Sequence, residues 1–302
     1  MSKGFTSKVL AEARPRISRL VNHLIDRAGT ERKMDFIRDF ARPLPAITML
    51  ELLGVDPADR EEVIGWTDEI ANFFGNANSP IEVAHAAQSA LFSLLEYFGR
   101  MLEARRVEPT SDLVSILLQA EDEGSDFTTT EELATQCAAL LFAGHETTRN
   151  LLGNGLYALL TNPEQLALLK ANPSLCATAV KEFARFDSPA QLNSRVVATP
   201  LEMYGRELKE GDIVIAMLGS AQRDPEAFVN PNQLDVTRRA ASSLSFGKGA
   251  HYCVGSALAS LEAEIAFSTI IERMPNIRLA SRHVKWVNNI NFRGLQALPV
   301  EF

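Results

Sequence analysis

The sequence is poor in cysteine, and its three cysteines, Cys137, Cys176 and Cys253, are far apart. An odd number of widely spaced cysteines makes no disulfide framework, and none of them forms a Cys-x-x-Cys metal or redox pair. Long apolar runs are absent too, because the longest is CAALLFA, from Cys137 to Ala143, and a membrane span needs far more. The N-terminal residues lack the apolar stretch of a secretory signal. These absences predict a cytoplasmic protein with no membrane partner.

Basic charge is in deficit, with 30 Lys and Arg against 38 Asp and Glu and a formal net charge of −8. This balance argues against nucleic acid as the main partner. A chain of 302 residues that is 46% hydrophobic and 23% charged has the composition of a globular protein with a sizeable core. No internal repeat or low-complexity linker interrupts it. A chain of this length can form one large domain or two ordinary ones.

The first two thirds of the chain predict helices, because apolar residues recur there at three-and-four spacing. Examples are SRLVNHLIDRA, DREEVIGWTDEIANFF and IEVAHAAQSALFSLLEYFGRMLEARR, with predicted breaks at Pro43–Pro45 and Asn76–Pro80. The longest predicted helix begins at the capping-box pattern Thr128–Glu132 and ends at Thr161–Pro163.

Strands are predicted only late in the chain. The runs RVVATPLEMYG and GDIVIAML are bounded by Gly or Pro, a helix follows Cys253 as far as Met274, and the tail after it is strand-like. Helices first and a few strands late indicate a mainly α (α+β) fold with small β-sheets.

The middle of the long predicted helix reads LLFAGHETTRNLL, in which polar residues interrupt an apolar stretch. Buried Glu and Thr are costly unless paired, so the cluster is either a solvated helix face, a set of Thr hydroxyls bonded to carbonyls one turn earlier, or an active site. The His-Glu-x-x-His zinc motif fails, because Arg149 occupies its last position.

Cys253 lies in the glycine-rich stretch FGKGAHYCVG, directly before a predicted helix. The glycines let the loop approach a ligand closely, and the positive end of the helix favours a thiolate that binds a metal or attacks an electrophile. A phosphate-binding loop is excluded by the glycine spacing and by the lack of Ser or Thr after Lys248. A cysteine nucleophile assisted by His251 stays open.

Several of these stretches together resemble the cytochromes P-450. FGKGAHYCVG resembles their haem-binding signature and AGHETT their oxygen-activating motif, while Glu182-x-x-Arg185 is similar to their Glu-x-x-Arg pair. AQRDPEAF and LDVTR resemble two further segments of the family, in the same order along the chain. Taken alone, Glu182 and Arg185 would be a weak surface ion pair. The resemblance covers essentially the whole chain and implies a single haem domain over residues 1–302.

The resemblance implies that Cys253 is the axial thiolate ligand of the iron of haem b. It also implies O2 as co-substrate, with Thr147 hydrogen-bonding the bound oxygen and Glu146 helping to deliver protons. Glu182, Arg185 and Arg238 would form a buried structural network. The residues that would contact the haem are Ala143, Gly144, Thr148, Arg195, Phe246, Gly247, Gly249, His251 and Gly255, with Arg195 and His251 on the propionates.

The implied reaction is insertion of one oxygen atom from O2 into a small organic substrate, with electrons from a ferredoxin and its NAD(P)H-dependent ferredoxin reductase. Residues at positions that touch substrate in the family are Gln191, Leu192, Asn193 and Asn291. The identity of the substrate does not follow from the sequence.

Compared with the family, the chain is expected to lack the N-terminal quarter of the fold. Strands that complete a sheet, the loop above the substrate pocket and a haem-binding basic helix would be missing, which predicts self-association through an exposed sheet edge. The alternative function is a catalytically impaired haem-binding or haem-free remnant with an interaction or regulatory role. A cysteine hydrolase is a third hypothesis.

Overall fold

The computed structural model describes residues 5–28, 31–74, 79–122, 129–239 and 243–302. A π-helical turn at Ile37–Ala41 and 3-10 turns at Pro173–Leu175 and Gly249–His251 accompany the α-helices. The α-helices in these residues are α1 (Ser7–Arg27), α2 (Pro43–Leu53), α3 (Arg60–Phe73), α4 (Ile81–Val107), α5 (Leu113–Asp122), α6 (Thr130–Thr161), α7 (Pro163–Ala171), α8 (Cys176–Phe186), α9 (Leu218–Ala221) and α10 (Ser256–Arg273). None of these helices is both long and apolar enough to span a membrane.

The strands form small antiparallel sheets at the periphery of the helices. They are β1 (Lys33–Asp35), β2 (Asn193–Val196), β3 (Leu201–Met203), β4 (Arg206–Leu208), β5 (Ile213–Ala216), β6 (Arg278–Leu279) and β7 (Pro299–Glu301). The described sheets have the strand orders β1-β7-β6, β2-β5 and β3-β4. In the first, Met34 pairs with Val300, so the sheet joins an early and a late part of the chain. The mainly helical fold with small sheets is confirmed.

Helix α6 is the central element. Its N-terminus carries a complete capping box, in which the Thr129 side chain accepts from the backbone of Glu132 and the Glu132 side chain accepts from Thr129. The 32 residues of the helix would extend roughly 48 Å. Helices α2, α4, α8 and α10 all pack against it. The predicted helix is confirmed over this range, and its predicted first residue, Thr128, lies outside the described residues.

Two predicted boundaries differ in the structure. Pro43–Pro45 begins α2 instead of only breaking a helix. Pro43 occupies the first turn, where the backbone N–H groups have no partner within the helix, so the N–H that proline lacks is not needed. The run RVVATPLEMYG divides into parts of β2 and β3, since Pro200 cannot donate to a ladder. The predicted break at Asn76–Pro80 lies partly outside the described residues.

The tail is less regular than predicted. Between β6 and β7 the described pairing is limited to the single bridges Ala190–Phe292 and Trp286–Leu295. The Asn289 side chain accepts from the backbone N–H groups of Asn291 and Phe292, which holds the backbone in a turn. Short side chains that bond the nearby backbone compete with strand ladders, and this explains the irregular segment.

Candidate active site

The Cys253 loop is built around glycines with positive φ angles. Gly247 has φ +74° and Gly249 has φ +72°, conformations that side-chain-bearing residues rarely adopt. A Cβ on Gly247 would lie 3.2 Å from the carbonyl oxygen of His251, and the backbone N–H of Cys253 donates to Phe246 O at 2.8 Å. The loop therefore closes on itself and presents Cys253, whose side chain is exposed.

Helix α10 begins at Ser256, three residues after Cys253, and the backbone amides of Gly255 and Ser256 are close to the sulfur. Burial raises the pKa of the Cys253 thiol, and hydrogen bonds from the backbone of Gly255 and Ser256 lower it. The raised pKa does not favour a free nucleophile, and no described hydrogen bond joins Cys253 to His251. A bound metal cation would deprotonate the thiol, and the amides would then stabilise the sulfur charge.

A cavity with about 1180 Å³ of empty space, its open mouth included, separates the Cys253 loop from α6. Because Cys253 and His251 are both exposed, the cavity opens to solvent on that side. Its remaining walls are mainly apolar. We call it the large cavity, and it is lined by Phe5, Met49, Leu140, Ala143, Gly144, Thr147, Thr148, Leu151, Ala184, Pro189, Ala190, Asn193, Leu218, Ser245, Phe246, Gly247, His251, Cys253, Val254, Gly255, Leu258, Ala259 and Glu262.

Helix α6 contributes the wall opposite the cysteine. The structure places Ala143, Gly144, Thr147 and Thr148 on the large cavity together, since these positions share one face of the helix. The Thr147 hydroxyl donates to Ala143 O at 2.8 Å, so the hydroxyl oxygen remains available as an acceptor. A Cβ on Gly144 would lie 2.8 Å from the Met49 side chain, which shows how closely α2 approaches α6 here.

Glu146, one residue before Thr147, lines a different cavity. The side cavity, with about 930 Å³ of empty space counted in the same way, is lined by Arg42, Asp68, Ala71, Asn72, Glu146, Arg149, Val287, Asn288, Asn289 and Phe292. A guanidinium nitrogen of Arg149 lies 3.1 Å from Glu146 Oε2, and Asn150 donates to Glu146 Oε1 at 3.1 Å. Glu146 and Thr147 are therefore adjacent in the sequence, but Glu146 lines the side cavity and Thr147 lines the large cavity.

The two residues expected on the propionates differ in position. His251 lines the large cavity, whereas Arg195 lies on exposed strand β2 outside its lining. Arg195 Nη1 donates at 2.7 Å to both Asn193 Oδ1 and Ser194 O, and it forms no ion pair with a described residue. Its charge is therefore available to an external anionic group, and its bond to Asn193 connects it to a residue of the cavity wall. Gly249 shapes the loop but is not in the lining.

Of the four residues expected to touch substrate, the structure brings only Asn193 to the large cavity. The Gln191 side chain donates to Ser188 O at 2.6 Å, and its backbone N–H donates to Asn291 O at 2.8 Å. These bonds tie the segment before β2 to the C-terminal turn. Leu192 and Asn291 are not in the cavity wall.

Glu182, Arg185 and Arg238 lie together as a buried network beneath the cysteine loop. Arg185 makes two hydrogen bonds to the Glu182 carboxylate, of 2.7 and 2.8 Å, and both side chains are fully buried. Arg238 Nε donates to the same carboxylate at 3.1 Å. Arg185 also donates to the carbonyl oxygens of Gln222 and Pro231, which leaves its charge well satisfied.

Gln222 connects this network to the cysteine loop. Its side-chain amide is within hydrogen-bond distance of the Ser243 and Ser245 hydroxyls, at 3.0 and 2.7 Å. Ser245 is the residue before Phe246, and its hydroxyl donates to Ala184 O of α8 at 2.7 Å. Helix α8 therefore fixes the start of the loop that presents Cys253.

The sequence reasoning missed Glu262, a carboxyl group in the wall of the large cavity. Burial raises the pKa of Glu262 to about 8. A signal existed: Leu258, Glu262 and Ala266 recur every four residues, which puts the glutamate on the apolar face of α10.

Comparisons with known proteins agree with this geometry. The family model described as Cytochrome P-450 matches residues 80–172 and 173–275. The chain belongs to the cytochrome P-450 family. It is 39% identical over 302 residues to Cytochrome P-450 CYP107DY1 of Priestia megaterium, covering 100% of this chain and 72% of that protein. It is 38% identical to the biotin biosynthesis cytochrome P-450 of Bacillus subtilis, of which it covers 75%.

Solved cytochrome P-450 structures share the fold. P450BioI, solved in complex with an acyl carrier protein carrying hexadec-9Z-enoic acid, superposes with a TM-score of 0.93 at 38% identity, covering 100% of this chain and 77% of that chain. PksS of Bacillus subtilis also gives a TM-score of 0.93, at 35% identity, covering 99% of this chain and 76% of that chain. The family supports a monooxygenase type of function and implies the use of haem and O2.

The residues of this cytochrome P-450 chain fit a haem. The iron of a haem needs a single protein ligand, and no described group of three or more His, Cys, Asp or Glu side chains would hold a bare metal ion. Cys253 offers a soft sulfur donor beside helix amides, and the walls around it are apolar enough for a macrocycle. Haem ligation by Cys253 is the chemistry that this donor set supports.

Proposed function

We propose that the protein is a haem-thiolate monooxygenase that inserts one oxygen atom from O2 into a small organic substrate. Electrons would come from a ferredoxin and its NAD(P)H-dependent reductase. One observation carries the proposal: Cys253, at the N-terminus of α10, and Thr147, on α6, line a single cavity. The haem, when bound through the Cys253 thiolate, supplies O2 binding and activation.

The chain's own residues would hold and orient the haem in this site. The amides of Gly255 and Ser256 would stabilise the sulfur charge, and Gly247 lets the backbone pass close to a flat ligand. His251, in the cavity wall, and Arg195, which bonds the wall residue Asn193, would bind carboxylate groups by charge-assisted hydrogen bonds.

Proton delivery would involve both faces of α6. The Thr147 hydroxyl is held by Ala143 O and would position a proton on the large-cavity side. Glu146 would take up protons from the side cavity and carry them across, which requires its ion pair with Arg149 to open. Arg149 therefore controls the availability of the acid.

An apolar substrate fits the described surroundings. The rings of Phe74, Phe142 and Phe292 pack against one another, with centroids 5.6 to 6.4 Å apart. The cluster joins α3, α6 and the C-terminal turn. Phe292 lines the side cavity and none of the three rings lines the large cavity, so it is the mainly apolar wall of the large cavity that suits an apolar substrate.

The deciding experiment is an absorption spectrum of the reduced protein with carbon monoxide. We expect a thiolate-type band that Cys253→Ser abolishes. Cys137→Ser and Cys176→Ser are the controls, because both cysteines are buried and should leave the band intact. Loss of the band in a control variant instead would overturn the assignment.

Turnover separates the enzyme from a non-catalytic haem-binding remnant. With a surrogate ferredoxin and reductase, the monooxygenase consumes NAD(P)H in the presence of a substrate and forms an oxygenated product. A thiolate spectrum without any product from a broad panel of small apolar compounds would favour the remnant.

A further inference from the structure

Asn150 is a buried amide on α6 to which the proposed function gives no role. It lies one turn after Glu146 with 1% of its surface exposed, and its Nδ2 donates to Glu146 Oε1 at 3.1 Å. Its Oδ1 has no hydrogen-bond partner among the described residues. The reversed amide would place that oxygen against a carboxylate oxygen, so the bond to Glu146 sets the orientation of the side chain.

The C-terminal turn encloses the other side of this amide. Gly294 is buried against the Asn150 side chain, and a Cβ at position 294 would overlap Asn150 Oδ1 and Cγ. The backbone N–H of Val287 donates to Gly294 O at 2.9 Å, which holds the glycine in place. Glycine at this position therefore leaves the space that Asn150 needs to face Glu146.

The two oxygens of the Glu146 carboxylate have partners of different kinds. Oε1 accepts from Asn150, which is in the described lining of neither cavity. Oε2 faces Arg149 Nη1 at 3.1 Å, and the Arg149 side chain is 15% exposed, lines the side cavity and has no described partner for its Nε. Arg149 therefore has room to turn away into the side cavity, whereas Asn150 is enclosed by protein.

We propose that Asn150 is a positioning residue for proton delivery, which keeps hold of Glu146 Oε1 when Arg149 releases Oε2. The proposal rests on the monooxygenase function above, in which the ion pair between Glu146 and Arg149 has to open. Without the bond from Asn150, the released carboxylate would rotate freely into the side cavity. With it, Glu146 gives up one proton and takes the next from the side cavity in a fixed orientation, and Asn150 is unchanged.

Nuclear magnetic resonance of the side-chain amides tests the hydrogen bond without turnover. In the reduced, carbon-monoxide-bound protein with ¹⁵N-labelled asparagine, the Asn150 signal is the one that is missing from Asn150→Leu. It should shift in Glu146→Met, which removes the acceptor at a similar size, and should not shift in Glu131→Gln, at an exposed site on the same helix. An Asn150 signal that is identical in the wild type and Glu146→Met overturns the proposal.

Product yield tests whether the orientation matters to the reaction. Asn150→Leu, of similar shape, should keep the carbon monoxide spectrum while product formed per NAD(P)H falls about tenfold and peroxide rises, a smaller loss than the ~10²–10⁴-fold worth of a general acid because the Glu146 carboxyl group remains. D2O should slow product formation more in this variant than in the wild type. If Asn150→Leu does not fold, Asn150→Ala replaces it with the same expectations. A wild-type yield in the variant overturns the proposal.

The matched control is Asn154→Leu, one further turn along α6. Asn154 is fully buried, but its Nδ2 donates to the backbone oxygens of Asp187 and Arg293, at 3.1 and 2.9 Å, and not to a carboxylate. This variant should lose stability in urea and keep the wild-type product yield. An equal fall in yield would assign the effect to the loss of any buried amide and overturn the positioning role.

Gly294→Ala gives an independent route to the same defect, because its Cβ displaces the Asn150 side chain. It should reproduce the low yield of the Asn150 variant. Adding Asn150→Ala relieves the overlap and should lower the yield no further, since both changes remove one interaction. Gly99→Ala, on α4 with nothing within 4 Å of the new Cβ, should keep the wild-type yield. A wild-type yield in Gly294→Ala contradicts the proposal.

The outcomes separate this inference from the proposed function. A wild-type protein with no thiolate spectrum overturns the proposed function, and the positioning role with it. A protein with the thiolate spectrum and full product yield in Asn150→Leu retains the proposed function and overturns the role of Asn150.

Discussion

At the scale of single residues, Thr147 is the clearest test of the α6 site. Thr147→Ala removes the hydroxyl that bonds Ala143 O and faces the large cavity. We expect haem and carbon monoxide binding to persist while product per NAD(P)H falls on the order of 10–100-fold and peroxide accumulates, because an ordered proton donor is lost.

The matched control for this prediction is Thr135→Ala. Thr135 is exposed on the same helix, and its hydroxyl makes the same type of bond, to Glu131 O at 2.7 Å. It should behave as wild type in both assays. Fully coupled product formation in Thr147→Ala would contradict the role of the hydroxyl.

Sequence motifs predicted which residues lie near Cys253, but not which way each side chain points. The positions of sequence neighbours such as Gly247 and Gly255 relative to Cys253 are set by the local backbone, so a short motif is enough to predict them. Whether Glu146 faces the large cavity or the side cavity depends on the packing of α2 and α3 against α6, which no local pattern contains. Glu262 was missed because its burial is a property of several packed helices.

At the scale of elements, the Glu182 network should decide the stability of the segment that supports the cysteine loop. Glu182→Ala strands the fully buried Arg185 guanidinium, and breaking a buried ion pair in this way costs about 3–5 kcal/mol. We expect low yield of haem protein and a corresponding loss in the free energy of unfolding, measured with urea. Glu96→Ala, which breaks the exposed pair with Arg100 on α4, should cost about 0.5 kcal/mol or less. An equal loss in the free energy of unfolding for the two variants would show that the Glu182 pair is no stronger than a surface ion pair.

The interface between α3 and α6 contains a histidine that resists protonation. His145 is buried, its Nδ1 lies 3.4 Å from the Thr67 hydroxyl, and its Nε2 has no described partner. Burial lowers the pKa of His145 to about 4, with Arg149 and Arg42 opposing protonation and Asp68 favouring it.

The resulting pH dependence has a definite sign. Between about pH 6.5 and 4 the unfolded chain binds a proton at this histidine and the folded protein does not, so stability falls as the pH falls. The slope from this group approaches about 1.4 kcal/mol per pH unit. His145→Gln should flatten the acid side of the stability profile measured by urea unfolding, whereas His23→Gln, at an exposed site on α1, should leave the wild-type slope. An unchanged slope in His145→Gln would contradict the assignment.

Helices were more predictable than strands for a physical reason. The capping box and apolar periodicity of α6 are local signals, and its bounds followed from them. Strands β1 and β7 pair with each other although most of the sequence lies between them. Each is too short to show the alternation of apolar and polar residues that predicts a strand. The tail was predicted as strand, but the Asn289 side chain holds part of it in a turn.

At the scale of the whole molecule, exposed apolar side chains and unpaired strand edges coincide in the described β2-β5 sheet. Strands β2 and β5 pair only with each other among the described strands, so each has a free edge. Val196 and Ile213 are both 67% exposed and lie opposite each other in the pair. The chain covers 72–77% of the length of the relatives described above.

A two-stranded sheet with free edges and an apolar face favours pairing with another chain. We therefore expect the purified protein to self-associate, with a light-scattering mass that rises with protein concentration. Ile213→Lys should shift the protein towards the monomer, because a charged lysine at a sheet edge opposes strand addition. Phe92→Lys is the matched control: Phe92 is 64% exposed but lies on α4, so removing this apolar side chain should not change the mass. A mass that stays monomeric at every concentration would refute sheet-edge association, and an equal response to both substitutions would assign it to general apolar exposure instead of the strand edge.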